Sequence, residues 1–234
     1  LKTQVPRLRE WDVATAHEFD SAVSGNSSLR AELMRALETE SAAREGKYIT
    51  HFLWDLRKFY DSICLRILSG HLERLNFPRH LAVMGFIAHR GPRILRAGSG
   101  VSRVVGATGR SIIAGCQLSC SFARAILYEL VVQLTLIIPG RPCWQHVDDL
   151  SHVMAHGTVE VIRNGAIQAA TQVINYADTN KLEISEKTAI LPDTELNRGI
   201  AKAIEDRTSF KLRVADSGID VGVEVTGGVK RKSA

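Results

Sequence analysis

Phe52-Leu53-Trp54-Asp55-Leu56-Arg57-Lys58-Phe59-Tyr60-Asp61-Ser62-Ile63 decides how this chain is read. β-Branched and aromatic residues lead into it from Tyr48, which predicts a strand from 48 to 56 with Asp55 at its end. A helix is expected soon after, from 62 to 75. A second acidic stretch, His146-Val147-Asp148-Asp149-Leu150, lies 93 residues beyond Asp55. Its flanks, 143–147 and 150–154, are β-prone and separated only by the two acids, the pattern of a tight hairpin with Asp148 and Asp149 at its tip. Taken singly, Asp55 reads as a helix-capping acid and the doublet as ordinary turn residues. Together, carboxylates from separate strands are what a pair of Mg²⁺ ions requires for nucleotidyl transfer.

The rest of the chain supplies a frame for these sites. Ser28 is expected to cap a helix over 28–44 whose Leu29, Leu33 and Leu37 recur every four residues, with Gly46 ending it. Pro78 opens a helix that stops near Gly91, and short β-prone pieces punctuated by glycine fill 93–113 as a hairpin or meander. Ser119 is expected to cap a long helix through 136, and Pro139-Gly140-Arg141-Pro142 to turn the chain. A helix over 159–177, a strand over 188–191, a helix over 194–207 and a closing strand over 219–225 complete the order. Helices returning to one face of an antiparallel sheet give an α+β layer.

At 234 residues with 45% apolar and 24% charged residues, the composition is that of an ordinary globular protein. No apolar run of membrane-spanning length is evident. The longest, 125–138, carries Glu129 and Gln133 and reads as a buried helix, so no membrane partner is expected. The start has no apolar stretch of signal-peptide type. Four cysteines in apolar or small-residue surroundings are expected to be buried free thiols, as in a reducing, intracellular (nuclear or cytoplasmic) setting. Cys143, His146, His152 and His156 have a superficially zinc-like spacing, but the acid pair already accounts for that strand.

The net charge of +5 is unevenly spread. Residues 74–128 hold eight arginines and no Asp or Glu. A basic, acid-free surface beside a metal site suits a phosphate backbone, with Arg93, Arg96, Arg103 and Arg110 as its expected contacts. A solvated basic face is the plainer alternative.

The stretch around Asp55 resembles the first catalytic motif of reverse transcriptases, especially those of group II introns and related retroelements: an Asp, an aromatic five residues on, then Asp-Ser-Ile. Ala114-Gly115-Cys116-Gln117-Leu118-Ser119 resembles the second motif, usually Gln-Gly-Ser-Pro-Leu-Ser, with Ala114 and Gln117 departing from it. His146-Val147-Asp148-Asp149 resembles the Tyr-X-Asp-Asp tip, and Lys187-Thr188 a fourth motif before a strand. The resemblance implies a polymerase palm, an antiparallel sheet with helices on one face, partial fingers and no complete thumb. It divides the chain into an N-terminal helical segment (1–46), the palm (47–225, with finger elements between 64 and 113) and a basic tail (226–234). It implies that Asp55, Asp148 and Asp149 are catalytic and bind two Mg²⁺ ions, with Mn²⁺ as substitute. It makes Tyr60 the steric gate against a 2′-OH and Asp61 a structural acid. Gly115, Gln117 and Lys187 become contacts to the incoming dNTP. The implied partners are an RNA template, a DNA primer and dNTPs. Residues 217–222 weakly resemble the hairpin that grips the primer.

Two other readings stand beside RNA-dependent DNA synthesis. One is a truncated or inactive retroelement fragment that at most binds RNA. The other is an RNA-dependent RNA polymerase, against which Tyr60 and Val147 argue.

Overall fold

A computed structural model describes residues 5–106, 109–137, 143–220 and 223–226, with only the backbone of 220, 223, 224 and 226. The predicted turn at 139–142, the tail at 230–232 and the centre of the closing strand at 221–222 lie outside the described residues.

Five strands form the main sheet: β1 (Tyr48–Trp54), β2 (Cys143–His146), β3 (Asp149–His156), β4 (Ala189–Leu191) and β5 (Arg213–Val214), in the order β2-β3-β1-β4-β5. All neighbours are antiparallel except β4 and β5, which run parallel. The register between β1 and β3 runs from Tyr48 opposite His156 to Trp54 opposite Leu150.

Side chains alternate across a strand, so Phe52, Trp54, Leu150 and Met154 share one face. That face is buried and mostly apolar, with Thr50 and His152 as its polar members. It packs beneath α1 (Val159–Asn180), whose Ala166, Ala169 and Ala170 let the helix lie close. Behind α1 runs α2 (Ser119–Ile137). Among the described helices α2 alone is long and apolar enough to cross a membrane by length and composition, and it contains most of the 125–138 run expected to be a buried helix. Here more than half of it is buried in the core.

The opposite sheet face is covered differently. Helix α3 (Ser28–Arg44) has the predicted span, but its cap is Ser27, whose Oγ accepts from the Arg30 N–H. The expected apolar stripe is on the outside: Leu29, Leu33 and Leu37 are exposed. The buried side carries Glu32, Arg35, Thr39 and Ala42. It meets a polar strand face, where Arg35 Nη1 donates to Ser151 Oγ at 2.5 Å and Thr39 Oγ1 lies 3.3 Å from His51 Nε2.

Helix α4 (Leu65–Arg74) and helix α5 (Arg79–Arg90), with Pro78 at its N-cap, follow Asp55 as expected. A small hairpin, β6 (Arg96–Ala97) with β7 (Gly100–Val101), comes next. Two N-terminal features were not foreseen. One is α6 (Val5–Thr15), whose Trp11 Nε1 donates to Leu75 O. The other is a bridge from Asp20 to Gln145 on the sheet's edge strand. Two described helices remain, a single turn over Phe59–Ser62 just after Asp55 and α7 (Glu195–Thr208), capped by Thr194. The single closing strand is in fact a hairpin, β8 (Ser217–Asp220) with β9 (Val223–Thr226).

Gly85 marks where α5 crosses α2. A Cβ there would lie 2.6 Å from Phe122 Cζ and 3.0 Å from Leu118 Cδ1. The Phe122 ring is itself held against Phe77 and Phe86 and cannot retreat. Overpacking costs about 1–3 kcal/mol, against a helix-propensity gain of about 1 kcal/mol from alanine. Gly85→Ala is therefore expected to lower the melting temperature, and an equal or higher value in a thermal melt would contradict this packing.

Candidate nucleotidyl-transfer site

One residue beyond the last β1–β3 pair, Trp54 with Leu150, stand Asp55 on one strand and Asp149 on the other. Asp148 lies in the two-residue turn that joins His146 to Asp149. That turn is tight because Val147 takes a φ of +57°, a left-handed conformation that β-branched residues rarely adopt. Gln145 Nε2 holds it by donating to Val147 O at 3.0 Å. Strain of this kind gathers at functional sites, and here it falls on the residue directly before Asp148.

The electrostatics couple these acids. Burial pushes the Asp148 carboxyl above its ordinary value, and the Asp55 charge raises it further. The Tyr60 phenol is pushed up to about 12, first by burial and then by Cys120, Asp148 and Asp149. Between the Asp55 strand end and Tyr60 the chain passes through Lys58, which has a left-handed φ of +47°. Cys120, in the first turn of α2, is exposed and also feels the Asp148 charge. Asp55, Tyr60, Asp148, Asp149 and the start of α2 thus border one region.

A cavity of about 1010 Å³ opens beside Asp55 and Asp149. Lys187, Glu186 and Arg213 line it, and the β8–β9 hairpin closes it at Ser217 and Gly218. Lys187 is therefore on the acid side of the sheet. The sequence reading gave no role to its neighbour Thr188. Thr188 Oγ1 accepts from the Asp55 N–H at 3.1 Å and lies 3.3 Å from the Asp55 carbonyl, to which Ser185 N–H donates at 2.8 Å. The Lys-Thr pair was visible in the sequence, but the role of its threonine was not. Glu186 and Arg213 carried no sequence signal.

Gly115 and Gln117 do not line this cavity. They lie in an exposed turn before α2, where Gly115 has a φ of +81°. This turn is tied to the Tyr60 loop through Ile112 N–H, which donates to Tyr60 O.

The arginines are dispersed rather than gathered around the acids. Arg96 and Arg103 are exposed in the hairpin region and Arg110 bridges to Cys64. Arg93 is half-buried, donating from Nη2 to His89 O. Two members of the acid-free run have structural partners: Arg74 pairs with Glu129, and the buried Arg124 with Asp12 and Asp20. All four cysteines are free, but Cys143 alone is buried.

Carboxylate oxygens are the donor type that a hard divalent cation takes, and the neighbouring Asp55 charge adds to burial in disfavouring a lone negative charge on Asp148. Among the described residues, however, no group of three or more His, Cys, Asp or Glu is assembled tightly enough to hold a metal, either at these acids or at Cys143, His146, His152 and His156.

No protein-family model and no curated protein matches the chain. Solved structures do. Apo telomerase from Candida tropicalis, truncated of its C-terminal domain, superposes with a TM-score of 0.60 over 96% of this chain, at 10% identity. The fold is reverse-transcriptase-like. Telomerase from Candida albicans, in complex with the TWJ fragment of telomeric RNA, gives 0.54 over 95% of the chain at 15% identity. At these identities the likeness is one of fold. The chain spans 43% and 36% of those two chains.

Proposed function

We propose that this chain carries the nucleotidyl-transfer centre of an RNA-directed DNA polymerase. The observation that carries the proposal is the β1–β3 register, which sets Asp55 beside Asp149, with the Asp148 carboxyl destabilised by Asp55. The telomerase-like fold and the RNA bound to one of its neighbours support a nucleic-acid substrate. The narrower retroelement assignment rests on residues 55–63 alone.

In this reading Asp55, Asp148 and Asp149 are the residues that would hold two Mg²⁺ ions, or Mn²⁺, once drawn closer together than they stand here. When bound, such ions lower the pKa of a primer hydroxyl and stabilise a leaving pyrophosphate. The protein's own part is positional. Thr188 fixes the Asp55 backbone, Val147 aims Asp148, and Lys187 offers positive charge to the triphosphate. Gly115 and Gln117 present backbone and amide to the nucleotide and its template base, and Arg96, Arg103 and Arg110 meet phosphates.

In this reading Tyr60 is the sugar gate. Removing a steric contact of this size relaxes discrimination by roughly ten- to two-hundred-fold. Tyr60→Ala is expected to admit ribonucleotides by that factor, read as the ratio of kcat/KM for dNTP over rNTP. An unchanged ratio removes the gate assignment.

The test of the whole is extension of a DNA primer on an RNA template in Mg²⁺, beside the Asp55→Asn variant. A second reading, a palm that binds RNA without extending a primer, is favoured by the loose grouping of the three acids. Salt-sensitive RNA binding with no extension in either protein would select it.

A further inference from the structure

The turn that carries Gly115 is held from behind by a buried histidine. His89 ends α5, and its side chain is 1% exposed. Its Nδ1 accepts a hydrogen bond from the Ile113 N–H at 2.9 Å. The proton of the neutral ring is therefore on Nε2, which is buried and has no partner. Burial, and then the nearby Arg93 charge, lower the histidine's pKa and keep the ring neutral, as the acceptor role demands.

The contacts continue in both directions. Toward the site, the Ile113 carbonyl accepts from Ser119 Oγ at 2.6 Å, closing the turn on the first residue of α2. Toward the basic hairpin, the His89 carbonyl accepts from Arg93 Nη2 at 2.7 Å, and Arg93 pairs with Val105 at the hairpin's base. The ring also leans on Phe122, with centroids 5.6 Å apart. The segment it holds includes two residues in left-handed conformations, Ser111 at +84° and Gly115 at +81°. Such a backbone persists only where its surroundings over-determine it. A buried imidazole spending its acceptor on a turn amide, while its donor goes unmatched, is costly as packing alone.

We infer that His89 is a positioning residue: it links the basic hairpin to the nucleotide-facing turn and sets the Ile113–Ser119 backbone for the incoming dNTP. The inference rests on the polymerase reading above. It assigns His89 no contact with substrate.

Three proteins test it: the parent, His89→Leu, and His89→Asn, whose Oδ1 can replace the Nδ1 acceptor. His89→Leu is expected to raise the KM for dNTP roughly tenfold, the worth of one ordering hydrogen bond, with kcat little changed. His89→Asn should restore most of it. An unchanged KM in His89→Leu overturns the inference. So does equal damage in both variants, which would make the ring a packing element against Phe122. Hydrogen exchange over residues 111–118 reads the same lock without catalysis. Strong protection is expected in the parent and His89→Asn, and faster exchange in His89→Leu. Rapid exchange in the parent would also overturn it. If the parent shows no extension, the polymerase reading fails, and the exchange result still decides whether His89 holds the turn.

Discussion

Replacing Asp148 by asparagine is expected to abolish primer extension and, at neutral pH, to make the protein more stable. The two effects have one cause. Asp148 is half-buried on a strained turn and faces Asp55, so burial and a like charge both oppose its ionisation. Its pKa in the folded chain lies above the unfolded value of about 3.9. Between those two values the folded state binds more protons, so stability falls as pH rises through that window. At pH 7 the carboxylate is ionised in both states and the full cost is present. Asparagine, isosteric and neutral, removes it. Because the group is partly solvated, a rise in melting temperature of about 1–3 °C is the scale to expect. The difference should shrink as pH falls through that window and vanish about one unit below the unfolded value, where Asp148 is protonated in either state. Activity moves the other way, because one aimed charge at a transfer centre is worth roughly 10²–10³-fold in rate. Asp55→Asn should lose extension likewise. Undiminished extension in Asp148→Asn ends the polymerase assignment. A melting temperature that does not separate from the parent's between pH 4 and pH 7 refutes the electrostatic account of the pair.

Much of this arrangement was readable in the sequence where local chemistry and tertiary demand agree. Pro78 opens α5 because a proline suits a helix start, and Thr194 caps α7 because its hydroxyl reaches the Asn197 N–H. The acids at 55, 148 and 149 were legible because strand ends and tight turns place them without long-range help. Periodicity failed at α3. Leu29, Leu33 and Leu37 mark a stripe, but the sheet face beneath the helix bears Ser151 and His51, so the polar side turned inward. Hydrophobic spacing carries no trace of such a polar contact. α6 went unread because its buried residues, Trp11 and Thr15, are too few to make a period. Thr188 was passed over for its charged neighbour, although its hydroxyl is what pins Asp55. The acid-free run of arginines misled in another way: net charge along a sequence cannot show which guanidinium finds a carboxylate from a distant segment.

Arg124→Ala is expected to be strongly destabilising, on a scale of about 3–5 kcal/mol. Arg124 lies in α2 and is 3% exposed. Its Nε donates to Asp20 Oδ2 at 2.6 Å, and its Nη1 to Asp12 of α6. Asp20 is 1% exposed, and its other oxygen accepts from the Ala22 N–H at 2.9 Å. Asp12 also accepts from Ser121 Oγ at 2.8 Å, although burial still pushes its carboxyl above the ordinary range. One guanidinium therefore ties three separate pieces together: α6, the 19–21 segment bonded to the sheet edge at Gln145, and the core helix α2. Alanine would leave Asp20 as a buried charge with no cation, a loss much larger than that of an exposed pair. The exposed pair Arg57–Glu183 is the control: its N and O atoms are 2.8 Å apart, yet Arg57→Ala should cost less than about 1 kcal/mol. A shared partner also makes the two acids non-additive, so Asp12→Asn and Asp20→Asn should together cost less than their separate losses summed. Denaturant melts of these variants decide the matter. If Arg124→Ala unfolds within about 1 kcal/mol of the parent, the N-terminal segment is not anchored through this residue, and the acids it meets are solvated in solution.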